Sequence, residues 1–241
     1  MKFAFTLATL AAVVTFVSAD VAIDLGTAAD FTVVCVGGII NTGGSGPIIG
    51  NVATTGHNIS GFPPGAITGD IEERTDAADQ AHSDAEAVWN MLRALEGTQV
   101  VSTEDGTIVV TKGMGDADGN GTTNVTGAVF TPGIYNVFSI LHVVTNITLD
   151  GEGQYIFTTG SHFDLDANAS IILTNGAKAS DVFFASGDST NLLAGASVAG
   201  TILSNSAIRL AAGASVLGNL YTQGLMTFTE ASVTPVVTPT D

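Results

Sequence analysis

GTILSNSAIRLAAGASVLGNLYTQGLMTFTEASVT, residues 200–234, reads twice through nearly the same pattern. Gly200-Thr-Ile-Leu-Ser-Asn is answered by Gly218-Asn-Leu-Tyr-Thr-Gln, and Ala214-Ser-Val-Leu-Gly by Ala231-Ser-Val-Thr. Ser197, Ser215 and Ser232 mark equivalent points, 18 and then 17 residues apart. A period near 18 that breaks into three short apolar runs, separated by Gly, Ala and Ser, describes one turn of a three-sided β-solenoid. No single run is long enough to bury a core, so stacked rungs must do it together.

Three other pieces align with this repeat: Thr32-Val-Val-Cys-Val-Gly37, Tyr155-Ile-Phe-Thr-Thr-Gly160 and Val182-Phe-Phe-Ala-Ser-Gly187. Strand alternation then sorts the columns. Val33, Ile156, Phe183, Ile202 and Leu220 form an inward column. The small residues Cys35, Thr158, Ala185, Ser204 and Thr222 form a second, near a corner. The outward columns are Thr32, Tyr155, Val182, Thr201, Asn219; Val34, Phe157, Phe184, Leu203, Tyr221; and Val36, Thr159, Ser186, Asn205, Gln223. None of these outward positions is charged, in a chain with 23 Asp and Glu.

The 241 residues favour one domain. Apolar residues make up 45% and charged residues only 12%, with 29 glycines, as frequent turning requires. Met1-Lys2, the apolar run Phe3–Val17 and Val17-Ser18-Ala19 read as a signal peptide cut after Ala19, leaving 20–241 as one secreted domain. Asn58, Asn120, Asn124, Asn146 and Asn168 stand in Asn-x-Ser/Thr sequons, which permit glycosylation. Without Lys2, 5 Lys and Arg face 23 Asp and Glu. That excludes the basic patches that nucleic acid and anionic membranes require, and self-repulsion favours a soluble monomer. Cys35, the one cysteine, leaves no disulfide framework; in its apolar run it reads as a buried structural thiol.

From Glu72 to Glu96 there is no Gly or Pro, and Ala77, Ala81, Ala85, Val88, Trp89, Leu92 and Leu95 fall at helical spacing. The pattern predicts a helix over about 72–96, capped by Asp70 or Thr75 and ended by Gly97, with an Ala-rich stripe suited to lying alongside a sheet. Val21–Val36 reads as two short strands around Gly26-Thr-Ala-Ala-Asp30, and from Phe130 onward the chain reads as short strands. Asp116-x-Asp118-x-Asn120-Gly121 matches the front of a calcium loop, but Gly127 stands where its Glu should be; a surface turn is the expectation, with no metal and no cofactor.

Taken together, the chain resembles the microbial ice-binding protein family. The resemblance rests on Val21-Ala-Ile-Asp-Leu-Gly-Thr-Ala-Ala-Asp-Phe-Thr-Val-Val, Ile59-Ser-Gly-Phe-Pro-Pro-Gly65, the Ala-rich helix, Thr131-Pro-Gly-Ile-Tyr135, and Ser197-Val-Ala-Gly-Thr-Ile-Leu203 with its echo at Ser215. It implies a mainly β fold: an irregular right-handed three-sided β-solenoid with one long helix alongside, and N-terminal strands lying between later rungs. The short passage from Pro63 to the helix implies no capping subdomain. It also implies a secreted antifreeze protein whose partner is the ice crystal surface.

Ice adsorption demands a flat, rigid face with regularly spaced hydroxyls and methyls and few strongly hydrated charges. The uncharged outward columns meet this, so Thr32, Val34, Tyr155, Thr159, Ser186, Thr201, Leu203, Asn205, Asn219, Tyr221 and Gln223 are the expected ice contacts. The same face could instead receive the helix. The competing face, with Asp164, Asp166 and Arg209 beside Thr227 and Thr229, is more charged and a poorer candidate. A solenoid polysaccharide lyase is disfavoured, because Arg74, Arg93, Lys112, Lys178 and Arg209 are scattered and His57, His82, His142 and His162 have no ligand spacing. An extracellular glycan- or matrix-binding adhesin remains the alternative.

Overall fold

The computed structural model describes residues 21–44, 46–56, 58–102, 108–111 and 121–236, and in it the short apolar runs are parallel strands wound into three-sided coils. The first side is a ten-stranded sheet. Its order is Ile71–Glu73, Asn51–Thr54, Phe31–Cys35, Leu220–Thr222, Thr201–Ser204, Val182–Ser186, Tyr155–Thr159, Gly133–Val137, Thr98–Ser102 and Ile108–Thr111. Only the last pair is antiparallel. The second side has eight strands: Ile59–Ser60, Ile39–Asn41, Met226–Phe228, Ile208–Leu210, Thr190–Leu192, Phe163–Leu165, Ile140–Val143 and Thr122–Val125. The third side is two three-stranded sheets joined by a single bridge between Ser170 and Ser197.

Coils do not stack in chain order. Phe31–Cys35 lies between two later strands, Asn51–Thr54 and Leu220–Thr222, so the N-terminal coils continue the solenoid past its C-terminal rung. Residues 21–25 form no strand, and Gly26–Asp30 is a 3-10 turn, so the expected pair of strands over Val21–Val36 is in fact one. The opening repeat has the expected register: Ser197, Ser215 and Ser232 pair in one row.

The earlier strands correct the column assignment. Phe183 pairs with Thr201, and Phe184 with Ile202, so Tyr155–Thr159 and Val182–Ser186 sit one residue out of the expected alignment. A one-residue slip turns every side chain to the other face. Phe157 and Phe184 therefore point into the core with Val33, Ile202 and Leu220, whereas Ile156 and Phe183 point out. Inside, Tyr135, Phe157 and Phe184 stack at centroid spacings of 5.0 and 5.2 Å, and Phe163 lies 4.4 Å from Phe184. The polar inward column is Cys35, Thr222, Ser204, Ser186 and Thr159, not the expected set with Thr158 and Ala185. Its hydroxyls are all partnered: Ser186 Oγ donates to Ser204 Oγ at 2.8 Å, Thr190 Oγ1 of the second side lies 2.6 Å from Ser204 Oγ, and Thr159 and Thr222 donate to the Ser161 and Ser206 carbonyls.

Corners are tight. A side chain at Gly224 would place Cβ 1.6 Å from the Ser206 carbonyl oxygen of the neighbouring coil, which only glycine avoids. Cys35 is buried as expected, its Sγ 3.5 Å from Thr54 Oγ1, and burial pushes its thiol up to about 11. A thiol raised in the folded state contributes stability that is complete below its unfolded value near 9 and disappears as the pH rises through 11. The native thiol should therefore resist iodoacetamide at pH 8 and react once urea unfolds the chain, whereas fast alkylation of native protein would contradict this burial.

The helix, α1, runs Asp76–Arg93, shorter than the expected 72–96 at both ends. Thr75 is its N-cap, accepting from Ala78 N–H at 3.2 Å while its own hydroxyl donates to Glu72. Residues 71–73 before it are spent on an edge strand, and at the far end Ala94 rather than Gly97 is the C-cap, in helical conformation. The buried stripe is Ala78, Ala81, Ala85, Val88 and Leu92, so Ala78 replaces the expected Ala77, which is exposed. α1 lies alongside the ten-stranded sheet, contacting strands from Asn51–Thr54 to Tyr155–Thr159. Its alanines let the backbone approach closely. Asp84 accepts from the Thr27 hydroxyl at 2.7 Å and the Thr27 N–H at 2.8 Å, and these bonds hold its carboxyl below the usual range.

Candidate functional site

The outward face of the ten-stranded sheet is a second apolar core rather than a free surface. Val34, Ala53, Ile156, Phe183, Ala185, Leu203 and Tyr221 pack against the buried stripe of α1. Trp89 Nε1–H donates to the Ser186 carbonyl at 2.9 Å. The Arg93 guanidinium donates to the Thr159 carbonyl and sits 5.1 Å from the Trp89 ring centroid, and its burial lowers its pKa.

This corrects the expected ice contacts. Val34, Leu203 and Tyr221 lie under the helix; Tyr155, Thr159 and Ser186 belong to the inward columns; Thr32, Thr201 and Asn219 point outward but are buried. The Tyr221 hydroxyl donates to the Ala28 carbonyl at 2.9 Å and accepts from Asn219 Nδ2 at 2.8 Å, and burial raises its pKa. Gln223 is half-buried, its Oε1 2.9 Å from His82 Nε2 on α1; Asn205 alone of the eleven is exposed. The reason is physical. The uncharged surface that suits an ice lattice equally suits the apolar face of a helix, and Ala78, Ala81 and Ala85 close that gap.

The eight-stranded side has no helix over it among the described residues, and its register is unbroken. One outward residue per rung forms a central row: Ser60, Ile40, Thr227, Arg209, Asn191, Asp164, His142 and Asn124. Seven steps at the ~4.8 Å strand spacing give a ladder of about 34 Å. Thr42 and Thr229 stand beside it with their hydroxyls 3.0 Å apart. The charges that made this face look unpromising are tied to their neighbours. Asn191 Nδ2 donates to Asp164 at 2.7 Å, and Arg209 Nη1 to Asn191 Oδ1 at 3.3 Å. His142 is held between Asn124 Oδ1 at 2.8 Å and Asp166 Oδ1 at 2.9 Å. These bonds run from rung to rung, so the polar atoms keep the lattice of the backbone. Sequence patterning ranked this face second because of its charges; the 18-residue intervals from Asn191 to Arg209 to Thr227 were the available signal that its outward residues stack in register.

Among the described residues no cluster of three or more His, Cys, Asp or Glu could hold a metal, and no helix is long and apolar enough to cross a membrane. Asn124 lies on the eight-stranded face, while Asn58 and Asn168 sit in turns with φ of 87° and 61°. Asn146 accepts from Ser170 N–H at 2.9 Å with its side chain exposed. The expected signal peptide over 1–19, the stretch 116–120 with Asn120, and His57 and Lys112 lie outside the described residues.

A protein-family model described as Ice-binding-like matches residues 33–234. An ice-binding protein of Nostoc sp. (strain HG1) is 31% identical over 190 residues, covering 77% of this chain, which in turn spans 63% of that relative. A crystal structure of an ice-binding protein from the Antarctic ascomycete Antarctomyces psychrotrophicus is similar at 30% identity and a TM-score of 0.77, covering 90% of this chain and 99% of that one. An ice-binding protein from an Arctic yeast, 19% identical with a TM-score of 0.77 over 93% of this chain and 98% of its own, shares the fold.

Proposed function

From the premise that this chain belongs to the ice-binding-like family, we propose that it adsorbs to ice through its eight-stranded side and so slows ice growth and recrystallisation. The observation that carries this reading is the uncovered, in-register parallel ladder running from Ser60 to Asn124. Adsorption to a crystal needs many weak contacts held in place before binding, so that little ordering is left to be done at the surface. The solenoid supplies this order through its backbone. Threonine, serine and asparagine hydroxyls and amides at the rung spacing anchor waters in lattice-like positions, and Ile40 and the Thr227 methyl fill the space between them. The reaction is adsorption, with no bond made or broken; the protein acts as a binder, not an enzyme.

We further read residues 1–19 as a secretion signal, 20–241 as the mature unit, and the mature protein as an extracellular monomer without cofactor. The supports are the apolar run before Ala19 and the net charge of the chain, −17. Purified protein at micromolar concentration should shape growing ice crystals and keep recrystallising ice fine-grained. Binding to glycans with no effect on ice would instead favour an adhesin.

A further inference from the structure

The third side is also uncovered among the described residues, and its surface chemistry is different. One outward row is Ser232, Ser215, Ser197, Ser170 and Asn146, with Ser215 Oγ 3.2 Å from Ser197 Oγ. The next row holds Thr234, Leu217, Ala199, Ile172, Thr148 and Val129, and Ile49 follows beyond Thr234. Val129 is 64% exposed, Leu217 47%, Ile172 38% and Ile49 37%. Neither row carries a charge, although the chain carries −17; Asp150 stands at one border, and Asp166 and Glu230 at the other. The large aliphatic side chains stand on alternate rungs, Ile49, Leu217, Ile172 and Val129, beside an unbroken line of hydroxyls, so the face is uncharged and periodic without being a continuous apolar patch.

We propose that the third side is a second ice-adsorbing surface, joined to the eight-stranded side along their shared corner at Thr145, Asp166 and Ala211. The inference rests on the functional reading above. Ice is uncharged, and the two rows offer it no ion whose hydration shell must be stripped. Hydroxyls at the rung spacing hold ordered water, while the isolated aliphatic side chains let water close over them without competing for its hydrogen bonds. A second copy of the chain fits less well. The apolar row is interrupted by Thr234, Ala199 and Thr148, which leaves no continuous hydrophobic core such as a stable dimer uses, and two chains of charge −17 repel. Two adsorbing sides inclined to each other would engage two families of ice plane.

The test freezes fluorescently labelled full chain slowly into a single-crystal ice hemisphere and maps the illuminated planes. Leu217→Arg and Ser215→Tyr should each remove one family of planes, leave another, and melt within a few degrees of wild type by circular dichroism. Each should also raise the concentration needed to halt recrystallisation about tenfold, equivalent to about 1.4 kcal/mol. Thr227→Tyr should spare the planes that Leu217→Arg removes. The proposal is overturned if both third-side variants show the wild-type pattern, or if sedimentation at 4 °C finds a dimer that Leu217→Arg dissociates. If wild type illuminates no plane, the functional reading fails as a whole. If Thr227→Tyr abolishes every plane and Leu217→Arg none, only the second surface fails.

Discussion

Phe184→Ala is expected to lower the free energy of unfolding by about 3–5 kcal/mol, the range for truncating a buried aromatic. Phe184 is 1% exposed and stacks on Phe157 at 5.2 Å and on Phe163 at 4.4 Å, so it joins the ten-stranded and eight-stranded sides at the centre of the solenoid. Parallel coils keep the rings in a column, and neighbouring backbones locked by rung-to-rung hydrogen bonds cannot collapse into the void. Urea titration should show a lower midpoint with little change in slope. A loss below about 1 kcal/mol, the size of an ordinary surface effect, would contradict the inward assignment of this residue.

Leu203→Asp should be nearly as damaging, at about 3 kcal/mol or more, through a different route. Leu203 is 1% exposed beneath α1, packed among Val34, Ala185 and Tyr221. The new carboxylate must either be buried unpaired or push the helix off the sheet. Asn205→Asp, two residues along on the same strand direction but exposed, should change stability by no more than about 0.5 kcal/mol. Thermal melts of the two variants separate a helix-covered sheet from an open one. Equal melting temperatures would mean that α1 does not cover Leu203.

These contrasts show what the sequence disclosed and where patterning stopped. The period near 18 in residues 200–234 was enough for a solenoid, because each rung repeats the same three short runs and corners. The rows Ser197–Ser215–Ser232 and Val33–Leu220–Ile202 follow directly from it. Tyr155-Ile-Phe-Thr-Thr and Val182-Phe-Phe-Ala-Ser were slipped by one because they are buried on both faces. A strand with core on one side and helix on the other has no polar alternation to set its phase. Glycines at 37, 160 and 187 then misled, since Gly160 and Gly187 pair in one column whereas Gly37 hydrogen-bonds with Gly224. The helix was legible as a helix and as one lying alongside the sheet. Which side it covered was not, because an uncharged face suits α1 and ice alike. Nor could spacing alone reveal that Asp164, Asn191 and Arg209 are bonded to one another, which needs the folded register.

Partition into growing ice tests the function most directly. A frozen seed is grown slowly in a solution of wild type, Thr227→Tyr or Asn205→Tyr, and protein is measured in the ice and in the remaining liquid. Thr227 is third in the eight-residue row and half-exposed, so tyrosine should project from the row and block contact along it without lowering the melting temperature. Wild type and Asn205→Tyr should concentrate in the ice to the same degree, and Thr227→Tyr clearly less, keeping only the share that the third side holds. Equal incorporation of Thr227→Tyr and wild type, with Asn205→Tyr excluded, would place adsorption on the helix-bearing side and contradict the assignment.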